Sequence, residues 1–254
     1  MNPLPSNPPR IRQAGFTLVE LMISLTLGLV LLAGIYQVFS ITLTGYTQAI
    51  KVAQLNHELR SAMYVMGNEL RRSGRWDDAL NFDPTTNPNP YVGLTVGSVS
   101  GAGNDCILYA YDTNDSMGVA TWEFLGFRLN AGRIEWSKGT TGPTTDCTAS
   151  WGTTSDIYMT SGKVSVTNLS FTLPPAECTN LSTVPRSNCN PCDTGYVPWS
   201  VGDTLVKVPR VDIALSGQLT SDPAIQMTLN QTVRVRNPVI EVATTAGPPA
   251  GTGC

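Results

Sequence analysis

From Gln13 to Ile50 the chain carries a single charged side chain, Glu20. Within that stretch, Leu21 to Ile41 is made almost wholly of Leu, Ile, Val, Met, Ala and Gly with a few hydroxyl residues. Such a run is long enough to cross a bilayer as one helix. It is the only one of its kind in 254 residues, so a polytopic membrane protein is excluded. Ahead of it lies a polar leader, Met1 to Gly15, with Arg10 and Arg12. Cationic flanks tend to stay on the cytoplasmic side. The expected topology is therefore a cytoplasmic amino terminus and an exported remainder beyond about Thr44.

Composition narrows the rest. Charged residues are 14% and the formal net charge is −3, which argues against a nucleic-acid partner. The apolar content of 41% is too high for a disordered chain. An ordinary secretory signal would be cut after its apolar stretch, where Ala33-Gly34 and Ser40 offer small residues.

A different processing site is written before the stretch. Gly15-Phe16-Thr17-Leu18-Val19-Glu20-Leu21-Met22 closely resembles the cleavage and methylation motif of type IV prepilins. The resemblance implies that a prepilin peptidase cuts between Gly15 and Phe16 and that Phe16 becomes N-methylated. The leader, residues 1–15, would leave with both of its arginines. The resemblance also gives Glu20 a role. A carboxylate inside an apolar helix costs about 2.5–3.5 kcal/mol on insertion scales, so it needs a partner. In the family reading that partner is the amino-terminal amine of an adjacent pilin, which sets the axial register of the helix bundle.

No proline interrupts residues 11–83. Past the membrane run, Val52, Leu55, Leu59, Ala62, Met63, Met66 and Leu70 recur at intervals of three and four, which marks one face of a helix. Lys51, His57, Glu58, Arg60, Asn68 and Arg71 fall opposite. Ser73-Gly74 supplies the stop, with Arg71, Arg72 and Arg75 where a helix end favours cations. A helix over 16–74 is predicted, membrane-spanning over 16–41 and an amphipathic stalk over 42–74, roughly 87 Å in all at 1.5 Å per residue.

A Pro/Asn-rich loop, Asp83 to Pro90, separates this helix from β signals. Strands are predicted at Gly93–Val99, Cys106–Tyr111, Thr121–Leu129 and Arg133–Trp136, with a short turn at Asn130-Ala131-Gly132. Further strands are predicted at Ile157–Thr160, Val164–Leu173, Val206–Leu215 and Met227–Arg236. In Val164–Leu173 the apolar phase shifts between Val166 and Leu169, the mark of a bulge or of two segments. The fold class is α+β: a long helix whose stripe packs on an antiparallel sheet. Residues 75–243 would form that exported domain, with a Cys-rich insert at about 174–200 and a loose tail over 244–254.

This is also the pilin architecture. Glu69-Leu70-Arg71-Arg72-Ser73-Gly74 and Val233-Arg234-Val235-Arg236-Asn237 are similar to minor pilins of the PilW type. That resemblance implies a structural, non-enzymatic subunit, held in the bacterial inner membrane by one helix with its domain in the periplasm, and then built into a pilus at the cell surface. Its role would be in the priming complex for pilus assembly, near the tip. Its partners would be the major pilin and other minor pilins, the prepilin peptidase, the assembly platform and a tip adhesin. A type II secretion pseudopilin shares the motif and architecture and stands as the alternative.

Six cysteines, Cys106, Cys147, Cys178, Cys189, Cys192 and Cys254, all follow the membrane run. An even count in an oxidising compartment reads as disulfides. Spacing does not choose their pairing. Cys106 with Cys147 brackets a compact stretch of strands, Cys178, Cys189 and Cys192 would staple the insert, and Cys254 would tie the tail. Cys189-Asn-Pro-Cys192 also has redox-pair spacing, the basis of a lesser alternative, a membrane-anchored thiol oxidoreductase. No cofactor or metal is expected. Asp112 to Gly118 only loosely matches a calcium loop, and the lone histidine, His57, cannot build a histidine cluster.

Overall fold

The computed structural model describes residues 15–99, 103–113, 123–138, 147, 148 and 157–252. It contains one long helix, α1 (Leu18–Arg72), and twelve strands. Two compact units divide at Ile50/Lys51, inside α1. In the first unit almost every described side chain is exposed, including Phe16, Val30 and Tyr36.

In the second unit, Lys51 to Arg72 is covered along the expected stripe. Leu55, Leu59, Ala62, Met63, Met66 and Leu70 are buried. Val52, assigned to that stripe by its spacing, is exposed. The helix stops at Gly74, whose φ of +76° suits a residue without a Cβ. A 3₁₀ turn over Asp77–Asn81 follows, which no periodicity announced.

The strands form three antiparallel sheets, the first two of which pack on the stripe. The first is a meander, β1 (Leu94–Gly97), β2 (Cys106–Ala110), β3 (Phe124–Asn130), β4 (Arg133–Lys138) and β5 (Ile157–Tyr158). The β3–β4 hairpin closes through Ala131 and Gly132, with φ of 47° and 75°, the double positive φ of a two-residue turn that follows the strand twist. Thr121 and Trp122, predicted as strand, lie outside the described residues. Tyr111, Tyr109, Phe127 and Trp136 form a stacked row with centroids 5.4–6.2 Å apart. Arg128 and Glu135, register partners across the hairpin, make a buried ion pair at 2.7 Å.

The second sheet has the order β11-β10-β6. Here β6 is Val164–Thr172, β10 is Arg210–Leu219 and β11 is Asp222–Arg234. The register slips between Ser216, opposite Asn168, and Gly217, opposite Val166. Thr167 is the extra residue, so the phase shift in the sequence is a β-bulge. Leu59 of α1 packs against Gly217. A Cβ there would stand 3.0 Å from Leu59 Cδ2 and 3.3 Å from the Ser165 carbonyl, closer than the packing can admit.

The third sheet corrects the sequence reading in one place and adds to it in two. Val206–Leu215 is not one strand. Pro209, which has no N–H to donate, separates β9 (Thr204–Val208) from β10, and the two join different sheets. The Cys-rich insert is stapled, Cys178 being bonded to Cys189, and it also supplies strands β7 (Glu177–Asn180) and β8 (Ser187–Asn188), in the order β12-β9-β7-β8 with β12 (Val239–Val242). The tail is tied down as well. The Gly247 N–H donates to the Trp199 carbonyl at 2.8 Å, Trp199 Nε1 to Thr245 O at 3.0 Å, and the Gly251 N–H to Pro191 O at 2.7 Å.

One main core joins α1 to the first two sheets, with Ile107, Phe127, Ile134, Leu169, Phe171, Ile213, Leu215 and Val233 among its members. Leu59→Ala is expected to lower unfolding free energy by about 2–5 kcal/mol, and Gly217→Val by about 1–3 kcal/mol through overpacking, both read by urea denaturation. In the insert, Asp203 accepts from the Ser200 N–H at 2.8 Å and from Asn180 Nδ2 at 2.7 Å. These bonds, that to Ser200 foremost, hold its carboxyl below its ordinary value of 3.8. A carboxyl depressed in the folded state stabilises above its unfolded pKa, and that gain is lost as pH falls through the folded one. Amide exchange at Ser200, measured relative to global unfolding, should therefore quicken below about pH 4.

Candidate functional site

The amino-terminal site is built from very few groups. Gly15, Phe16 and Thr17 precede α1 and belong to no helix or strand. The Gly15–Phe16 bond therefore lies ahead of the helix. Thr17 caps the helix, its Oγ1 accepting from the Glu20 N–H at 3.3 Å and its carbonyl from the Leu21 N–H at 3.1 Å. Glu20 thus lies in the first turn, where the helix dipole favours an anion. It is exposed, and among the described residues no cation of the chain pairs with it.

Below Glu20 the helix is predominantly apolar. Its mean hydropathy reaches 2.3 over an 18-residue window. Hydroxyls within it donate to their own helix: Ser24 to the Glu20 carbonyl, Thr26 to Ile23, Thr42 to Val38, Thr44 to Ser40 and Thr47 to Thr44, at 2.7–2.9 Å. These five hydroxyls are satisfied without water. Gly28, Gly34 and Gly45 have open space where a Cβ would stand, leaving places where another helix can approach closely.

The far end of α1 is a second, internal site. The two segments that resemble PilW-type minor pilins, residues 69–74 and 233–237, meet there. The Arg236 N–H donates to the Arg71 carbonyl at 3.0 Å, and Asn237 Nδ2 donates to the carbonyls of Arg72 and Ser73 at 3.2 and 2.9 Å. These are carbonyls that a helix end leaves without partners. Asn89 Nδ2 takes the Gly74 carbonyl at 2.8 Å, and the Gly74 N–H donates to Ala110 O at 2.9 Å. Glu69 accepts from the Tyr111 hydroxyl at 2.7 Å, and the Arg72 guanidinium stands 4.4 Å over the same ring. Arg71 donates to Asn68, Arg72 to Glu69 and Arg75 to the Asp112 carbonyl. The basic trio therefore holds the helix end, which accounts for its clustering without a nucleic acid. Burial and the bond to Glu69 push the Tyr111 hydroxyl well up from its ordinary value of 10.

The cysteines divide by location. Cys106 bonds Cys147 and Cys178 bonds Cys189, over sequence separations of 41 and 11. Cys192 is also disulfide-bonded, and Cys254 lies outside the described residues. Because Cys189 is joined to Cys178, the CxxC spacing with Cys192 does not form a redox pair. Of the loose calcium-loop match, Asp112 is fully buried and accepts from the Asp77 N–H, while Asn114 to Gly118 lie outside the described residues. Among the described residues no cluster of His, Cys, Asp or Glu could hold a metal. His57 is exposed on the helix surface.

Sequence reasoning found the two segments at the helix end but not that they touch. It missed Asn89, Tyr91 and Glu123. The Tyr91 hydroxyl donates to Glu123 at 2.7 Å inside the domain, and nothing in the spacing of residues 32 apart signals that contact. Asn237→Ala removes a donor to two helix carbonyls and is expected to cost about 1–2 kcal/mol. Hydrogen exchange should localise the loss to the last turn of α1.

Comparison with known families places both ends of the chain. Residues 10–36 match the family described as the prokaryotic N-terminal methylation motif, spanning Gly15, Phe16 and Glu20. Residues 48–235 match the family described as prepilin peptidase-dependent protein B. No curated protein and no solved structure matches. With more than half its length covered by that second match, and a methylation motif ahead of it, the chain is a prepilin-like protein that belongs to the prepilin peptidase-dependent protein B family.

Proposed function

We propose that the protein is a structural minor pilin of a type IV pilus, similar to the PilW type, acting in the inner-membrane complex that primes pilus assembly and ending near the pilus tip. The observation that supports this reading is a methylation motif set directly before an apolar helix whose described side chains are almost all exposed. The prepilin peptidase would cut between Gly15 and Phe16 and leave an N-methylated Phe16. The single helix would then hold the protein in the membrane, with its domain in the periplasm, until assembly.

Glu20 supplies the specificity of that assembly. With no cation paired to it among the described residues, its charge in an apolar setting is neutralised by the amine of a neighbouring subunit's first residue. That pairing fixes how far one helix stands above the next. The major pilin, other minor pilins, the assembly platform and a tip adhesin are the expected partners. The alternative, a type II secretion pseudopilin, would use the same helix and the same glutamate. The paired Arg71 and Arg72 and the disulfide-closed insert favour the pilus.

Deletion of the gene should abolish surface pili by electron microscopy and leave protein secretion normal. Wild type should restore pili and Glu20→Ala should not. Normal pili with exported proteins held in the periplasm would move the protein to the secretion machinery.

A further inference from the structure

Four of the six cysteines are buried and joined to one another. Cys106, Cys147, Cys178 and Cys189 are 0%, 3%, 8% and 1% exposed, and they make the bonds Cys106–Cys147 and Cys178–Cys189. Cys192 differs in both respects. It is exposed, and it is disulfide-bonded to none of those four, whose sulfurs are already taken. Of six cysteines in the chain, the one left for it is Cys254. The path of the backbone agrees. The Gly251 N–H donates to the Pro191 carbonyl at 2.7 Å, so the chain passes beside Cys192 just before it reaches Cys254.

On its way there the tail crosses an aromatic clamp. Tyr196 and Trp199 stand edge to face with centroids 6.2 Å apart. The Tyr196 hydroxyl donates to the Pro248 carbonyl at 2.5 Å, and Trp199 Nε1 donates to Thr245 O at 3.0 Å. Gly247 passes so close that a Cβ would stand 2.7 Å from Trp199 N and 2.8 Å from Tyr196 Oη. Residues 243–252 belong to no helix or strand, and Pro248 and Pro249 have no N–H to place in a ladder. The tail is thus a strap, held by separate hydrogen bonds and tied covalently at its end.

We propose that Cys192 and Cys254 form the third disulfide, and that this bond is a thiol-exchange site at which a dithiol releases the strap from the Tyr196–Trp199 clamp while the two buried disulfides stay closed. Exchange needs a thiolate to reach a disulfide sulfur, and among the described cysteines only Cys192 is exposed. One thiolate of the dithiol attacks the Cys192 sulfur. A mixed disulfide forms, and the Cys254 thiolate leaves and takes up a proton. The second thiolate of the dithiol then attacks its partner sulfur, which frees Cys192 as a thiol. Two electrons pass from the dithiol, now a disulfide, to the two cysteines. The reverse sequence, with an oxidised dithiol, closes the strap. The site is the same whether the subunit serves a pilus or a secretion pseudopilus.

The test uses the full chain, purified in detergent without reductant. Fragmentation of its disulfide-linked peptides should join Cys192 to Cys254. Cys192 found free, or joined to any other cysteine, overturns the proposal. Dithiothreitol is then titrated in, and each point is quenched with an alkylating agent and mapped. Cys192 and Cys254 should be labelled at a concentration at least tenfold lower than the other four. Labelling of all six together overturns the exchange site. Hydrogen exchange at that lower concentration reads the strap itself. The Gly247 and Gly251 amides should exchange at least tenfold faster, with those of β12 unchanged. Unchanged glycines, or equal acceleration throughout the third sheet, overturn the release. The double variant Cys192→Ser, Cys254→Ser gives the same reading without reductant: fast exchange at both glycines with Cys106–Cys147 and Cys178–Cys189 intact supports the strap, and protected glycines overturn it.

Discussion

The apolar stripe of α1 is the surface around which the domain is organised. Leu55, Leu59, Met66 and Leu70 are inaccessible to solvent, and they share a core with strands from two sheets. Those sheets share no ladder and meet through the Val166 N–H to Gly132 carbonyl bond, with the helix contributing to their common interior. Its fit depends on one absent side chain: Gly217 lets Leu59 rest on β10 where any Cβ would hold it off. The bulge at Thr167 serves the same contact. By re-phasing β6, it returns Leu169 and Phe171 to the face that Val164 and Val166 already occupy.

Local signals in the sequence were read well because their causes are local. The helix stripe follows from intervals of three and four, the β3–β4 turn from Asn130-Ala131-Gly132, and the bulge from a phase slip within ten residues. The third sheet was invisible for the opposite reason. Strands β7, β8 and β12 hold only two or four residues each, too short for an alternation to register. They exist because β9 lies between β7 and β12, and that pairing joins segments far apart in sequence. Pro209 was readable as a breaker, but the apolar alternation from Val206 to Leu215 outweighed it. At the amino-terminal site every candidate residue was named from the motif alone. At the helix end the residues were named, yet their contact was not, since no rule of spacing links Arg72 to Asn237.

The two halves of α1 solve opposite problems with one secondary structure. In the first, the side chains carry no charge for thirty residues, and five hydroxyls are spent on the helix's own carbonyls. In the second, the polar side chains reach across to the domain: Glu58 accepts from the Ser161 N–H at 3.0 Å and from its hydroxyl, and Glu69 from Tyr111. The change falls at Lys51, the first cation after the apolar run, which is also where the compact units divide.

The clasp between Asn237 and the end of α1 spans 165 residues of sequence. A ribosome delivers Arg72 long before it delivers Asn237. Throughout that interval the helix has its backbone but not its closure, and its apolar stripe waits for strands that do not yet exist. Contacts of such separation must pay their loop entropy before they return any stability. A chain cut short before residue 237 would possess nearly all of its core residues while lacking the residue that closes the helix.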